Sequence, residues 1–107
     1  MSDTIDEIYL KIAQGIAKSI TTSWDRAVIN AEVFDDAANF NGVYELDGKT
    51  LYFEVEDDAY DYFEEIKEIM SGNNKWNRAK FTLKPSGDFS IDFQWDQALD
   101  DEIKANQ

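Results

Sequence analysis

The sequence predicts an α+β protein with an antiparallel five-stranded sheet, elements in the order α-β-β-β-α-β-β, and helices packed on one face of the sheet. Three observations lead to this prediction. Two segments carry apolar residues at helical spacing, five segments alternate with a period of two, and two short turn motifs join neighbouring strands. A chain of 107 residues has the size of one domain, so residues 1–107 are expected to form a single domain.

The first helix is predicted over residues 5–20. Its apolar stripe consists of Ile5, Ile8, Tyr9, Ile12, Ile16 and Ile20. Thr4 and Glu7 have the spacing of a capping box, which satisfies free amides at the start of a helix. Gly15 costs about 1 kcal/mol relative to alanine inside a helix. We therefore expect the helix to pack closely against the sheet at Gly15.

Three strands are predicted over residues 27–34, 40–46 and 51–55, where apolar and polar residues alternate. Asp47-Gly48 favours a two-residue type I′ turn between the second and third strands, because both positions need positive φ. This turn predicts the pairs Tyr44 with Leu51 and Phe40 with Val55. The alternation also predicts three pairs between the first two strands, which are Val33 with Phe40, Ala31 with Gly42 and Ile29 with Tyr44.

The second helix and a last hairpin follow. The buried stripe of this helix is predicted to contain Ala59, Tyr62, Phe63, Ile66, Ile69 and Met70. Asp57 or Asp58 is expected to cap its start, and Gly72 suits its end. Strands over 79–84 and 88–95 are joined by a three-residue loop at 85–87. That loop predicts the pairs Lys84–Asp88, Lys80–Asp92, Phe81–Ile91 and Leu83–Phe89. Residues 97–107 are expected to form a frayed tail or a short helix.

The composition argues against catalysis. The chain has no histidine and no cysteine, which excludes imidazole bases, thiol nucleophiles and thiolate metal sites. No phosphate-binding glycine loop is present. The pairs Asp35-Asp36, Asp57-Asp58 and Asp100-Asp101 do not favour carboxylate catalysis, because the side chains of adjacent residues point in different directions on a strand or a helix. We therefore expect no enzyme activity, no cofactor and no metal. The polar start and the short apolar runs predict a cytoplasmic protein without a membrane segment.

The charge predicts a basic protein partner. Ten basic and 23 acidic residues give a net charge of −13, which repels nucleic acid and membranes and attracts basic proteins. Two surfaces are candidates for binding this partner. The first is the outer face of the second helix, with Asp61, Glu64, Glu65 and Glu68. The second is the open face of the sheet, where Val43 is expected between Asn30 and Tyr52, with Glu45, Glu54 and Glu56 around them.

Three stretches of the chain resemble the YezG-like family of bacterial antitoxin and immunity proteins. The first comprises IYLKIA at 8–13, WDRA at 24–27 and NAEV at 30–33. The second is YFEE at 62–65. The third comprises Trp76, KFTL at 80–83, SGDFSIDF at 86–93 and WD at 95–96. The resemblance implies a cytosolic, non-catalytic protein that binds a nuclease toxin and silences it. We expect the protein to be a monomer alone and to bind its toxin one to one.

Three other functions fit parts of the pattern. Secretion chaperones of the type III kind are also small and acidic, and their element order looks similar. They are dimers whose apolar grooves hold an extended segment of an effector, so a monomeric state would count against this alternative. A DNA-mimicking inhibitor would bind several basic proteins weakly. A carboxylate-based enzyme is the least favoured alternative.

Overall fold

A computed structural model of the protein describes residues 4–34, 38–70 and 76–105. Along the chain the elements are α1 (Ile5–Ser19), β1 (Arg26–Val33), β2 (Ala38–Leu46), β3 (Lys49–Phe53), α2 (Asp58–Ile69), β4 (Arg78–Leu83), β5 (Phe89–Gln94) and α3 (Gln97–Ala105). The strands form one antiparallel sheet in the order β3-β2-β1-β4-β5. This confirms the predicted fold class and element order. Of the two forms expected for the C-terminal residues, a frayed tail or a short helix, the structure shows the helix α3.

The core lies between one face of the sheet and the two helices α1 and α2. Alternate residues of the central strand β1 point into it, namely Ala27, Ile29, Ala31 and Val33. They meet the apolar stripes of both helices, in which Ile8, Phe63 and Ile66 have no exposed surface. Trp76 and Phe81 close the core on the side of β4. The opposite side of the sheet, called the open sheet face below, carries no residue of this core cluster.

The helix ends agree only in part with the predicted caps. Thr4 begins α1, and its hydroxyl accepts a hydrogen bond from the Glu7 amide at 3.3 Å. Asp57 precedes α2, but its side chain makes no capping bond, and Asp58 is already the first helical residue. The capping prediction for α2 is therefore wrong. Asp57 has helical dihedrals (φ −60°, ψ −33°), whereas a capping side chain normally belongs to an extended residue. The predicted end at Gly72 lies outside the described residues.

Both hairpins adopt the turns that the sequence predicts. Asp47 and Gly48 have φ of 51° and 79°, as a type I′ turn requires, and Tyr44 is opposite Leu51. Gly87 has φ of 97° in the loop between β4 and β5. The predicted neighbours across that loop are Lys80–Asp92, Phe81–Ile91 and Leu83–Phe89, and the Lys84 amide bonds the Asp88 carbonyl at 2.9 Å. The turn residues thus fix the register of both hairpins.

The register between β1 and β2 differs from the prediction by two residues. The observed pairs are Val33–Ala38, Ala31–Phe40, Ile29–Gly42 and Ala27–Tyr44. A shift of two leaves every side chain on its predicted face, so the alternation alone could not distinguish the two registers. The predicted pair of Phe40 with Val55 is also absent, because β3 ends at Phe53 and the chain leaves the sheet to begin α2.

Candidate protein-binding surfaces

The outer face of α2 carries a continuous acidic surface. Three buried residues, Ala59, Phe63 and Ile66, hold the helix against the core. The four carboxylates predicted for the opposite face lie there and are called the acidic stripe, namely Asp61, Glu64, Glu65 and Glu68. Asp61, Glu64 and Glu68 are exposed and Glu65 is half-buried. Helical spacing brings Asp61 beside Glu65 and Glu64 beside Glu68, so like charges are neighbours along this face.

Lys67, the one basic residue within α2, is directed away from the acidic stripe. Its Nζ donates a hydrogen bond to the Val33 carbonyl at 3.2 Å, at the end of β1. The same atom lies 5.9 Å from the centre of the Trp76 ring, within the range of a cation–π contact. The ammonium group is therefore used at the edge of the core. The positive charge of Lys67 therefore lies away from the four carboxylates of the acidic stripe.

A row of three side chains crosses the open sheet face. Val43 is opposite Val28 of β1 on one side and opposite Tyr52 of β3 on the other. Asn30, the predicted neighbour of Val43, pairs instead with Asn41, as the two-residue shift requires. Val28 is only 6% exposed, whereas Tyr52 on the outer strand is 75% exposed. Exposure therefore increases along the row, from the buried Val28 side chain to the accessible Tyr52 ring.

Two carboxylates of the open sheet face, Glu45 and Glu32, pair with arginine side chains. Glu45 forms an ion pair with Arg26 at 2.8 Å. Arg78 contacts Glu32 at 3.3 Å and Asp96 at 2.8 Å. The hydrogen bond from Arg78 is the main cause that holds the pKa of Asp96 below its ordinary value. The negative charges of Glu45 and Glu32 are therefore partly balanced, because β1 and β4 bring arginines to the same face.

Glu54 and Glu56 lie beyond the end of β3, and they have different surroundings. Glu54 is exposed next to the edge of the sheet. The carboxylate of Glu56 reaches α1, where a Cβ added to Gly15 would lie 2.5 Å from its Oε1 atom. The sequence predicts Glu56 on the open sheet face. This prediction is wrong, because the alternation stops at Phe53 and the Glu56 side chain reaches α1 instead. The close neighbour of Gly15 is this side chain rather than the sheet.

The nine predicted binding residues consequently do not form one surface. The acidic stripe belongs to a helix on one side of the sheet, and Val43, Glu45 and Tyr52 belong to the other side. Two concavities that the sequence did not predict border the open sheet face. One, of about 450 Å³, is a polar basin whose rim includes Arg78, Lys80 and Asp92. The other, of about 460 Å³, follows the edge of β2 past the end of β3.

The described parts of the chain contain neither a cluster of metal-binding side chains nor a helix that could span a membrane. Residues 4–34, 38–70 and 76–105 contain no group of three or more acidic side chains placed to hold a metal ion. Over the same ranges, no helix has both the length and the apolar character that crossing a bilayer requires.

Comparison with known proteins gives one informative relative. No family model matches the chain. A protein of Bacillus spizizenii named immunity protein YezG is 28% identical over 120 aligned residues, which cover 94% of this chain and 74% of the relative. The match extends across all three stretches on which the resemblance was based. It confirms the resemblance of the chain to the YezG-like family.

Proposed function

We propose that this protein is a non-catalytic immunity protein that binds a bacterial toxin, a nuclease, and neutralises it through an acidic surface. The name of the Bacillus relative supports immunity as the general function. The observation that supports the acidic surface is the position of four carboxylates on the outer face of α2, while the ammonium group of Lys67 in the same helix donates to the Val33 carbonyl. We propose a cytoplasmic location and a one-to-one complex.

A nuclease is the toxin class that this charge distribution fits best. Its substrate is a polyanion, so its binding groove is rich in lysine and arginine. A protein with a net charge of −13 is attracted to such a groove at long range, and complementary charges raise the rate of association. The acidic stripe of α2 would then occupy the groove, or bind beside it.

Tyr52 is the proposed anchor of a second contact. Tyrosine is enriched among the residues that dominate binding energy, since it combines a large apolar ring with a hydroxyl group. Tyr52 is 75% exposed next to Val43. A partner that binds both Tyr52 and the acidic stripe has to pass around the β3 edge of the sheet.

The proposal is tested by nuclease inhibition with the toxin encoded beside this protein. Unmodified protein should abolish nucleolysis at one-to-one stoichiometry. Glu64→Lys combined with Glu68→Lys should weaken toxin binding by roughly 100-fold or more, which corresponds to about 2.7 kcal/mol. The matched control, Asp88→Lys with Asp101→Lys, has the same net charge but changes exposed residues far along the chain from α2. Its affinity should stay within about threefold of the unmodified protein.

Tyr52→Ala is tested separately, because it leaves the charge unchanged. A roughly tenfold or larger loss of affinity is expected if the ring is an anchor. Both proposed surfaces would be wrong if the stripe reversal and Tyr52→Ala left affinity unchanged. A partner without nuclease activity, bound by a dimer of this protein, would overturn the immunity function in favour of a secretion chaperone.

A further inference from the structure

Strand β2 extends four residues beyond its neighbour β3. The two strands pair from Leu46–Lys49 to Gly42–Phe53, where β3 ends. The remaining part of β2, residues 38–41, pairs with β1 on one side. On its other side no strand pairs with it anywhere in residues 4–34, 38–70 or 76–105. A short length of strand edge is therefore left open between β3 and the start of α2.

This open edge presents main-chain donors and acceptors at fixed positions. An antiparallel ladder uses every second residue on each side of a strand. Since the hairpin turn follows Leu46, the groups of Leu46, Tyr44 and Gly42 point toward β3. By the same alternation, the amide and carbonyl groups of Phe40 and Ala38 point outward beyond its end. The Phe40 ring packs 5.4 Å from the Phe63 ring in the core, which holds this part of β2 in place.

The open edge forms one wall of the 460 Å³ concavity, called the edge groove here. Its other walls include Tyr52, Glu54, Glu56, Asp57 and Tyr60. The lining therefore contains four aromatic residues, because Phe40 and Phe53 join the two tyrosines, and three carboxylates. No lysine or arginine is among the described residues that line it. The neighbouring polar basin has a similar volume but includes Arg78 and Lys80. Of the two concavities, the edge groove is the one suited to a cationic ligand.

The edge groove also leads to the acidic stripe. Asp57 is four residues before Asp61, and Glu64 and Glu68 follow at spacings of three and four. Residues at these spacings lie on one face of a helix. Carboxylates therefore continue from Glu54, beside the end of β3, through Asp57 and along α2. A chain that entered the groove would pass from the strand edge to the acidic stripe without crossing a basic side chain of the groove lining.

We propose that the edge groove binds an extended basic segment of the partner protein, which pairs with residues 38–41 of β2 and continues the line of β3. This inference rests on the proposed function, because the partner is taken to be the toxin. Main-chain hydrogen bonds to Phe40 and Ala38 supply the pairing, as in other strand additions at a sheet edge. Lysine or arginine side chains of the segment meet Glu54 and Asp57. The Tyr52 and Tyr60 rings lie beside its aliphatic parts.

Amide hydrogen exchange measured by NMR tests this pairing directly. In the free protein the outward amide of Phe40 should exchange rapidly, and in the toxin complex it should be protected at least tenfold. The Ile91 amide is the internal control, since it points outward from β5 at the other edge of the sheet. Its exchange should be the same in both states.

A peptide experiment separates this inference from the proposed function. The probe is a capped peptide of alternating lysine and valine, and the control peptide replaces each valine with proline, which cannot pair as a strand. The lysine–valine peptide should shift the Phe40 amide saturably, with a dissociation constant on the order of 1 mM or lower. Glu54→Gln with Asp57→Asn should weaken this binding at least fivefold. The charge-matched control, Asp88→Asn with Asp101→Asn, should change it less than twofold.

The outcomes distinguish the two claims. Peptide binding at Phe40 without toxin inhibition would support the groove and overturn the nuclease-immunity function. Toxin inhibition with no protection of Phe40 in the complex would retain the function and overturn the groove. Equal binding of both peptides would show that the groove attracts charge only, and would also overturn strand pairing.

Discussion

At single residues, the effect of adding a methyl group to a buried glycine depends on what the new Cβ atom would meet. At Gly42 in β2, it would lie 2.8 Å from two ring carbons of Phe53 and 2.8 Å from the Phe53 carbonyl oxygen. At Gly15 in α1, it would lie 2.5 Å from Glu56 Oε1, at the end of a flexible side chain. The Phe53 carbonyl cannot move without β3, whereas the half-buried Glu56 carboxylate can rotate away.

Gly42→Ala and Gly15→Ala should therefore differ in sign. We expect Gly42→Ala to lower the free energy of unfolding by about 1–3 kcal/mol through overpacking. Gly15→Ala should raise it by up to about 1 kcal/mol, since alanine is the better helix former. Urea unfolding at equilibrium measures both changes. A comparable loss of unfolding free energy in both variants would contradict the inference that the Glu56 side chain can rotate away from the new methyl group.

Asp96 should make stability depend on pH in a predictable direction. Its carboxylate accepts hydrogen bonds from Arg78 Nε at 2.8 Å and from the Leu99 amide at 3.1 Å. These bonds lower the pKa of Asp96 in the folded state, with Arg78 as the larger cause. Because the pKa of Asp96 is lower in the folded state, ionised Asp96 stabilises the fold at pH values above its pKa in the unfolded chain, which is about 4. This stabilisation is lost as the pH falls through the folded pKa.

Asp96→Asn should consequently destabilise the protein at pH 7 and have a smaller effect at pH 3. Urea unfolding of the variant and of the unmodified protein gives the difference in their free energies of unfolding at pH 7 and at pH 3. Comparing differences removes the contribution of the other carboxylates, which both proteins share. If this difference were the same at both pH values, the bond between Arg78 and Asp96 would not depend on the ionised form of Asp96, and the assignment would be wrong.

Among the elements, turn chemistry explains which strand registers could be predicted from the sequence. Asp47-Gly48 and Gly87 require specific positive φ values, and the pairs beside both turns were predicted correctly. The connection between β1 and β2 contains no such motif, so its register was predicted two residues away from the observed one. The edge groove depends on the end of β3 at Phe53. The alternation of apolar and polar residues continues to Val55 in the sequence, so it does not indicate that β3 ends at Phe53.

The candidate surfaces were predictable to a similar degree. Helical spacing was sufficient to place the four carboxylates of the acidic stripe on one face of α2. The pairing of Glu45 with Arg26 and of Glu32 with Arg78 was not predicted, because it depends on which strands are neighbours. The position of Lys67 was also missed. Its long side chain leaves the helix surface and reaches the Val33 carbonyl, which sequence spacing cannot indicate.

Helix α2 should be more stable with fewer charges, although its binding function should suffer. Glu64 and Glu68 are four residues apart, and such a like-charge pair costs about 0.2–0.5 kcal/mol. Glu64→Gln should therefore raise the free energy of unfolding by a few tenths of a kcal/mol, while toxin affinity falls severalfold. Urea unfolding and a binding titration on the same preparation measure both. Reduced stability together with unchanged affinity would argue that Glu64 is structural rather than a binding residue.

For the molecule as a whole, a net charge of −13 acts in opposite directions on folding and on binding. Carboxylates that repel each other destabilise the compact state, and this repulsion weakens when salt shortens the range of the interaction. The same salt weakens the attraction between this protein and a basic partner. Ionic strength can therefore separate the two effects of the charge, provided that folding and association are measured under the same conditions.

Raising sodium chloride from about 0.02 M to about 0.5 M shortens the Debye length from roughly 20 Å to roughly 4 Å. The free energy of unfolding should rise over this range, while the association rate constant with the toxin should fall at least tenfold. The dissociation rate should change less, because contacts already formed are screened less than an approaching charge. Urea unfolding and stopped-flow association at each salt concentration test both slopes. An association rate independent of salt would mean that the acidic surface does not guide the encounter, even if the complex forms.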